Sequence, residues 1–404
     1  MLVSLFVVAA VGVAASAAPD HSGRIAITPQ PVQIISDTEI IVDGVTYNSW
    51  DEVAQSGYYQ NLGTRCASEP SLMQVDLRGS GADCSFSRTN VEAQYEPGNG
   101  LLRVPVVVHV IQNTSGTGFI SASRVQSQID VMNEDFQAIA GTNGANGSDA
   151  QIEFFLATED ENGNPTNGIT YSTNNTWFND GGSYYNTLAW DTNRYLNIYT
   201  NSASGALGYV PDLPQGGIAG SNADRVVVLY STFGRNAPFV PFHLGRTTTH
   251  EVGHYFGLYH TFDGGCASAS SCSTNGDRIC DTNPESSPTF GCPGSRTSCG
   301  AQAPKDNYMD YSDDICMEKF THDQNNRMRC TIEHYRPNLA STGPSACNAA
   351  DIAEPFGVLD LGDTQAFVAA FLAQDSAADI APPNGVFDLE DVQAFIAAFN
   401  AGCP

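Results

Sequence analysis

From Leu101 to Ile111 the chain reads Leu-Leu-Arg-Val-Pro-Val-Val-Val-His-Val-Ile, an apolar, β-branched run that predicts a buried strand. His109 inside that run reads as a core histidine. The period then changes. Over Ser121–Ala138 the apolar positions Val125, Ile129, Met132 and Phe136 fall at helical spacing and form one stripe. Gln151–Thr158, Ile169–Thr173, Tyr195–Thr200 and Arg225–Tyr230 predict further strands, separated by turn-forming stretches at Asn143–Ser148 and Asn164–Asn167. Gly205–Pro211 predicts an edge strand, with its proline where no ladder donor is needed. One helix is expected to begin near Leu244, and another to span Thr321–Arg336. Alternation of this kind predicts an α+β fold, a twisted mixed sheet backed by two helices.

Outside this core the patterns differ. Residues 18–99 hold one strand-like stretch, Glu39–Val45, and no sustained period, so they are expected to pack on something else. At the other end the chain repeats itself. Ala350-Asp351-Ile352-Ala353 recurs as Ala378-Asp379-Ile380-Ala381, and Gln365-Ala366-Phe367 as Gln393-Ala394-Phe395, both offset by 28 residues. Each copy predicts an acidic loop opening an amphipathic helix. Val392, Phe395, Ile396 and Phe399 form the apolar face of the second, and the paired helices are expected to bury their phenylalanines together.

Composition sharpens this picture. A chain of 404 residues should hold two or three domains. A net charge of −27 argues against nucleic acid and anionic lipid as partners and suits a soluble extracellular protein. Leu2–Val13 is short and apolar and runs into Ala14-Ala15-Ser16-Ala17-Ala18, which reads as a secretory signal over residues 1–18, although its start carries no Lys or Arg. No later apolar run is long enough to span a membrane. Eleven cysteines in an exported chain predict disulfides, and an odd count leaves one thiol for another role. Six of them, from Cys266 to Cys316, lie in a span with little helical or strand pattern, read as loops stapled by disulfides. Asp277, Asp281, Thr282 and Glu285 cluster there, as calcium ligands or as solvated loop charges.

The candidate chemistry lies in His250-Glu251-Val252-Gly253-His254, followed by Gly257 and His260. Histidines four apart share one helix face and reach a single zinc ion at about 2.0–2.1 Å. Glu251 then sits beside the metal, where a general base for its water belongs. Gly257 lets the backbone leave the helix, and His260 folds back as third ligand. Three imidazoles leave a fourth position open, the mark of a catalytic site.

About fifty residues later comes Asn307-Tyr308-Met309-Asp310-Tyr311. This pairing resembles the metzincin clan of metalloendopeptidases. Leu258–Phe262, Gly264-Gly265-Cys266, Asn307–Asp314 with Cys316, and the strand Val104–Ile111 resemble the pappalysin (cytophagalysin) family within it, over about Cys66 to Arg336. The resemblance implies a metzincin-like catalytic domain at residues 100–340, with a backing helix, an active-site helix and a loop-rich, disulfide-stapled C-terminal half. A pro-segment would occupy 19–99. It implies Zn2+ on His250, His254 and His260, Glu251 as general base and acid, Met309 in a turn beneath the metal, and Tyr311 beside it. It also implies that the edge strand near Gly205–Val210 pairs with an extended peptide substrate. Relatives carry an Arg-Cys in the pro-segment, matched by Arg65-Cys66 although Ala67-Ser68 follows, so Cys66 is expected on the zinc of a latent form. A Cys66–Cys84 disulfide, with another cysteine such as Cys330 left unpaired, is the competing expectation. The family implies the pairs Cys266–Cys292 and Cys299–Cys316. Cys272–Cys280 and Cys347–Cys403 complete the expected set.

Residues 341–404 resemble a degenerate dockerin. Asp379, Asn384, Asp388 and Asp391 are the matching candidates for Ca2+, and a cell-surface or extracellular partner is implied. The expectation is therefore a secreted or cell-surface-associated zinc endopeptidase acting on protein or peptide substrates. A catalytically inactive, surface-attached binding protein on the same fold is the alternative, and the intact Glu251 and three histidines count against it.

Overall fold

The computed structural model describes residues 33–36, 39–42, 45–48, 65–68, 95–97, 100–273, 275–343, 347–353, 359–383 and 385–403. The expected signal segment, Cys84 and Asn384 lie outside the described residues.

Three short strands, β1 (Gln33–Ser36), β2 (Glu39–Val42) and β3 (Val45–Tyr47), form an antiparallel meander. The main sheet is built on β4 (Leu101–Gln112). Along one edge β4 pairs in parallel with β5 (Ile152–Leu156) and, further on, β6 (Ile169–Thr173). Along its other edge it pairs in parallel with β7 (Leu196–Asn201), and at its start antiparallel with β12 (Ser341–Gly343). The sheet continues from β7 to β9 (Val226–Leu229) and ends on antiparallel β8 (Gly208–Tyr209). β8 is shorter than the Gly205–Pro211 strand the sequence suggests, because Ala203, Ser204 and Gly205 all take left-handed φ and turn the chain into it. β12 carries the sheet to Gly343, just past the boundary expected at 340.

The period of two along β4 decides what each face covers. Leu102, Val104, Val106, Val108 and Val110 enter the larger core, with Val125, Ile129, Met132 and Phe136 of helix α1 (Ala122–Phe136) and Val252, Tyr255 and Phe256 beside them. Ile111 faces the opposite way, into a second core with Tyr199, Val227, Leu229, Phe239 and Phe242. His109 is on that side too. Its ring stacks on Tyr199, and its nitrogens lie 2.8 Å from Thr170 Oγ1 and 2.9 Å from Asn197 Oδ1. Burial pushes it down to about 4, so it stays neutral as a core group.

Helix α2 (Arg246–Tyr255) crosses beneath the sheet, and α3 (His322–Tyr335), started by a capping box between Thr321 and Gln324, closes the core with Met328 and Ile332. Two strands of two residues, β10 (Thr297–Ser298) and β11 (Ala301–Gln302), make a hairpin in the loop-rich half.

The disulfides of that half correct the expected pairing. Cys266 joins Cys299, not Cys292, and Cys292 joins Cys316, not Cys299. The Asp313 N–H donates to the Gly291 carbonyl at 2.9 Å, which lays Cys292 against the turn holding Cys316. Cys299 sits at the tip of the β10–β11 hairpin, with φ +51°, and reaches Cys266 instead. Cys272 is joined to Cys280 and Cys347 to Cys403. Cys330 is disulfide-bonded and Cys66 is a free, buried thiol, so the Cys66–Cys84 alternative falls.

In the repeat, helices α4 (Leu361–Ala373) and α5 (Leu389–Ala401) stack Phe367 on Phe395 with centroids 4.1 Å apart. Ile396, expected in the buried face, is 51% exposed. The face that packs is Val392, Phe395 and Phe399, and Ile396 lies outside it.

Candidate active site

Helix α2 lacks a side-chain cap on Gly245; Asp314 supplies one from outside, its Oδ2 accepting from the N–H of Leu244 at 2.8 Å and of Arg246 at 3.4 Å. From this helix His250 and His254 project together. Gly257, with φ +90°, ends the helix, and His260 returns to the same point. His254 Nε2 lies 3.1 Å from His250 Nε2 and 3.0 Å from His260 Nε2.

The other ring nitrogens fix what those contacts are. His250 Nδ1 lies 2.6 Å from the Tyr308 carbonyl, His254 Nδ1 2.8 Å from the Leu258 carbonyl and His260 Nδ1 3.2 Å from Asp263 Oδ2. Each partner only accepts, so each Nδ1 carries the proton and each Nε2 presents a lone pair. Three lone pairs aimed at one another repel unless a cation lies between them. Burial, and then the neighbouring imidazoles, push His250 well down and His254 to about 3, so both are neutral, as ligands must be. The donor set fits zinc.

Gly253 lies between the two helical histidines because a Cβ there would meet Met309 Sδ at 2.5 Å; the methionine turn packs directly under the site. The Tyr308 hydroxyl in that turn donates to Asp135 of α1 at 2.7 Å, and Asp135 also accepts from Arg246 at 3.0 Å and Thr249 at 2.6 Å. Asp135, Asp263 and Ser68 escaped the sequence reading. Asp263 left one trace, its place three residues after His260. The other two left none, since their partners lie far away along the chain.

Residues 65–68 lie in the cleft. The Leu207 N–H donates to the Arg65 carbonyl and the Ala67 N–H to the Gly208 carbonyl, both at 3.0 Å, so the segment runs parallel beside β8. Cys66 Sγ and the three histidine donor atoms lie within 4.8 Å of one another. The thiol donates to Glu251 Oε2 at 3.3 Å, and the Ser68 hydroxyl does so at 3.1 Å. Glu251 Oε1 is buried with no hydrogen-bond partner among the described residues. Burial pushes the Glu251 carboxyl up to about 8, against the lowering effect of those two hydrogen bonds. Gly208 makes this approach possible, since a Cβ there would fall 2.7 Å from Glu251 Cγ. The Tyr311 hydroxyl is 3.3 Å from His260 Nε2 and donates to the Cys66 carbonyl at 3.2 Å. Arg65 enters a pocket where Asp314 Oδ1 lies 3.7 Å from its guanidinium and Phe242 stacks on it at 4.2 Å.

Among the described residues the calcium candidates form no common cluster. Asp277 accepts from Thr282 at 2.6 Å and from the Ile279 N–H at 3.1 Å. Asp281 caps α3, accepting from Thr321 and the Asp323 N–H. Glu285 binds Thr261, Thr289 and Arg296. In the tail, Asp391 accepts the N–H groups of Ile380, Ala381 and Asp388, Asp388 accepts from the Glu390 N–H, and Asp379 from the Gly385 N–H. Backbone N–H groups contribute to each of these carboxylates except Glu285, which is held by side chains alone.

Asp277 has a further consequence. Burial pushes its carboxyl up to about 7 from an ordinary 3.8. Folded chains then keep a proton that unfolded chains lose above about pH 4, so stability falls as pH rises from about 4 to about 7 and is level beyond. Asp277→Asn is expected to remove this slope. Relative to the parent, its melting temperature should be higher at pH 8 than at pH 5, a differential on the order of 3 kcal/mol at about 1.4 kcal/mol per pKa unit.

A family model described as pregnancy-associated plasma protein-A matches residues 182–333. An extracellular metalloprotease of Colletotrichum graminicola is 35% identical over 282 residues, 67% of this chain and 90% of that protein. The chain belongs to the pappalysin family of metalloendopeptidases. An extracellular metalloprotease of Sordaria macrospora is 34% identical over 250 residues, 59% of this chain and 78% of that one. A promirolysin mutant of Tannerella forsythia superposes with a TM-score of 0.51 at 35% identity, covering 63% of this chain and 86% of its own. The protein is thus a secreted zinc metalloendopeptidase of metzincin-like fold, and the relatives do not favour the inactive binding-protein reading. No helix among the described residues is long and apolar enough to cross a membrane.

Proposed function

We propose that this pappalysin is made as a latent zymogen, with residues 19–99 as pro-segment, 100–340 as catalytic domain, and Cys66 filling the open position on a zinc held by His250, His254 and His260. The free thiol of Cys66 within the histidine cluster carries the reading. Thiolate is a good zinc ligand, and Ser68 at the same time occupies the carboxylate of Glu251.

Bound zinc supplies Lewis acidity: it polarises the scissile carbonyl and makes water a stronger acid. Glu251 takes the proton from the attacking water and passes it to the leaving amine. Removal of residues 65–68 frees its carboxylate for that work and returns solvent to it. The Tyr311 hydroxyl, released from the Cys66 carbonyl, donates to the developing oxyanion. Met309 and the carbonyl of Tyr308 hold the ligand cage from below. Leu207 N–H and the Gly208 carbonyl, engaged by the pro-segment in the latent form, pair with the substrate backbone once it leaves.

The pocket around Arg65 suggests which peptides fit. Asp314 Oδ1 is buried and makes no hydrogen bond among the described residues, so a basic side chain beside the scissile bond pairs with it as Arg65 does. Asp314→Asn keeps an acceptor for the α2 cap and drops the charge. It is expected to lower kcat/KM for arginine-containing peptides about 10-fold or more, the weight of one buried charge pair, with a much smaller effect on neutral analogues. Zinc analysis of the secreted protein, its N-terminal sequence, and cleavage of a peptide library with and without chelator test the whole reading. Absence of zinc, or cleavage indifferent to chelator, overturns it.

A further inference from the structure

We propose that Asp180 is a positioning residue for the peptide substrate: it holds β8 in the register that lets a bound peptide reach Glu251. The inference rests on the proposed pairing of substrate with β8.

β8 is only two residues long and hangs on an unfavourable turn. Ala203, Ser204 and Gly205 have φ of 47°, 51° and 89°, and two of the three bear side chains that resist this region. Such a turn keeps its shape only where its surroundings dictate it. Asp180, itself at φ +62°, does so with one carboxylate. Its Oδ2 accepts from the Ser204 hydroxyl at 2.6 Å and the Tyr209 hydroxyl at 2.9 Å. Its Oδ1 accepts from Tyr184 at 2.7 Å and from Asn201 Nδ2 at 3.0 Å. Asn201 ends β7 and accepts the Ala203 N–H at 2.7 Å. One side chain therefore ties together the end of β7, the turn and β8.

Tyr209 is held from a second side. Arg225 donates to its hydroxyl at 3.3 Å, with the guanidinium stacked on Tyr185 at 4.0 Å. Gly208, next to Tyr209, has no room to move toward the site, because even a Cβ on it would lie 2.7 Å from Glu251 Cγ. A β8 freed from Asp180 keeps its pairing with β9, and the room left to it lies away from the site. Its hydrogen-bonding groups then carry the peptide away from the carboxylate, without touching the metal ligands.

The test uses the processed enzyme, with an extended peptide of about ten residues and, as a probe of the metal and Glu251 alone, acetohydroxamate. Asp180→Ala is expected to raise KM for the peptide about 10-fold, the loss of a charge-assisted hydrogen bond. Expected alongside are kcat within about 2-fold of the parent, full zinc content and unchanged acetohydroxamate inhibition. Ser204→Gly removes one of the clamped hydroxyls while suiting the left-handed backbone. It should raise KM less, with no fall in melting temperature. If Asp180→Ala fails to fold, Ser204→Gly and Tyr209→Phe decide the matter by a smaller rise in KM at unchanged kcat. Unchanged KM in the folded variants, or kcat and zinc content falling together, overturns the inference. If the parent enzyme shows no chelator-sensitive cleavage, the endopeptidase reading fails first.

Discussion

Glu251→Gln is expected to bind zinc at full stoichiometry and to lose about 10²–10⁴-fold in kcat, the usual weight of a positioned general base. The substitution is close to isosteric. The amide oxygen it introduces still accepts from Ser68 in the latent form, and the side chain still fits beneath Gly208, where the approach leaves no room for anything longer. The three histidines keep their own supports in Tyr308, Leu258 and Asp263, none of which involves Glu251. Only the proton acceptor disappears. Peptide binding, read as KM or as competition by the variant for a labelled substrate, should change little. Retained turnover in a zinc-loaded preparation sinks the role given to Glu251.

Cys66→Ala should give an unprocessed chain that cleaves peptides without prior removal of residues 19–99. Burial pushes the thiol well up, with the nearby Glu251 charge adding to this, so a thiolate there depends on a metal to compensate it. Without sulfur, residues 65–68 keep their backbone pairing with β8 but lose the metal bond. Every 1.4 kcal/mol removed is about tenfold in the open fraction, so a rise of about 10-fold or more in unprocessed activity is expected, with the processed enzyme unaltered. Activity assays on intact chain, confirmed intact by mass, check this. A variant as silent as its parent contradicts the plug.

Much of the centre was legible because its chemistry is local. His250, Glu251, His254, Gly257 and His260 sit within a few turns, so spacing alone places them. α1 was legible from its helical period and β4 from its unbroken apolar, β-branched run, since each pattern reports what a single element buries. What escaped depends on closure over long distances. Ser68 meets Glu251 across 183 residues and Asp135 meets Tyr308 across 173, and no local pattern encodes either. The disulfide pairing failed for a related reason. Cys292 and Cys299 lie close together in a span without periodicity, and a short hairpin decides which of them faces Cys266. In the repeat, Asp391 accepts backbone N–H groups, a role that residue spacing alone does not separate from that of a calcium ligand.

A secreted protease lives among active copies of itself, and its own loops are the first peptides within reach. The span from Cys266 to Cys316 is where such cuts would fall, since it is long and irregular and exposed at many points before Ala303. Its three disulfides enclose most of that span: Cys266–Cys299 closes one loop, Cys272–Cys280 a smaller one inside it, and Cys292–Cys316 overlaps its end. A single cut inside any of these loops leaves both new ends tethered. The fragment that carries Met309 and Tyr311 stays under the histidines, and the enzyme outlasts its own first mistakes.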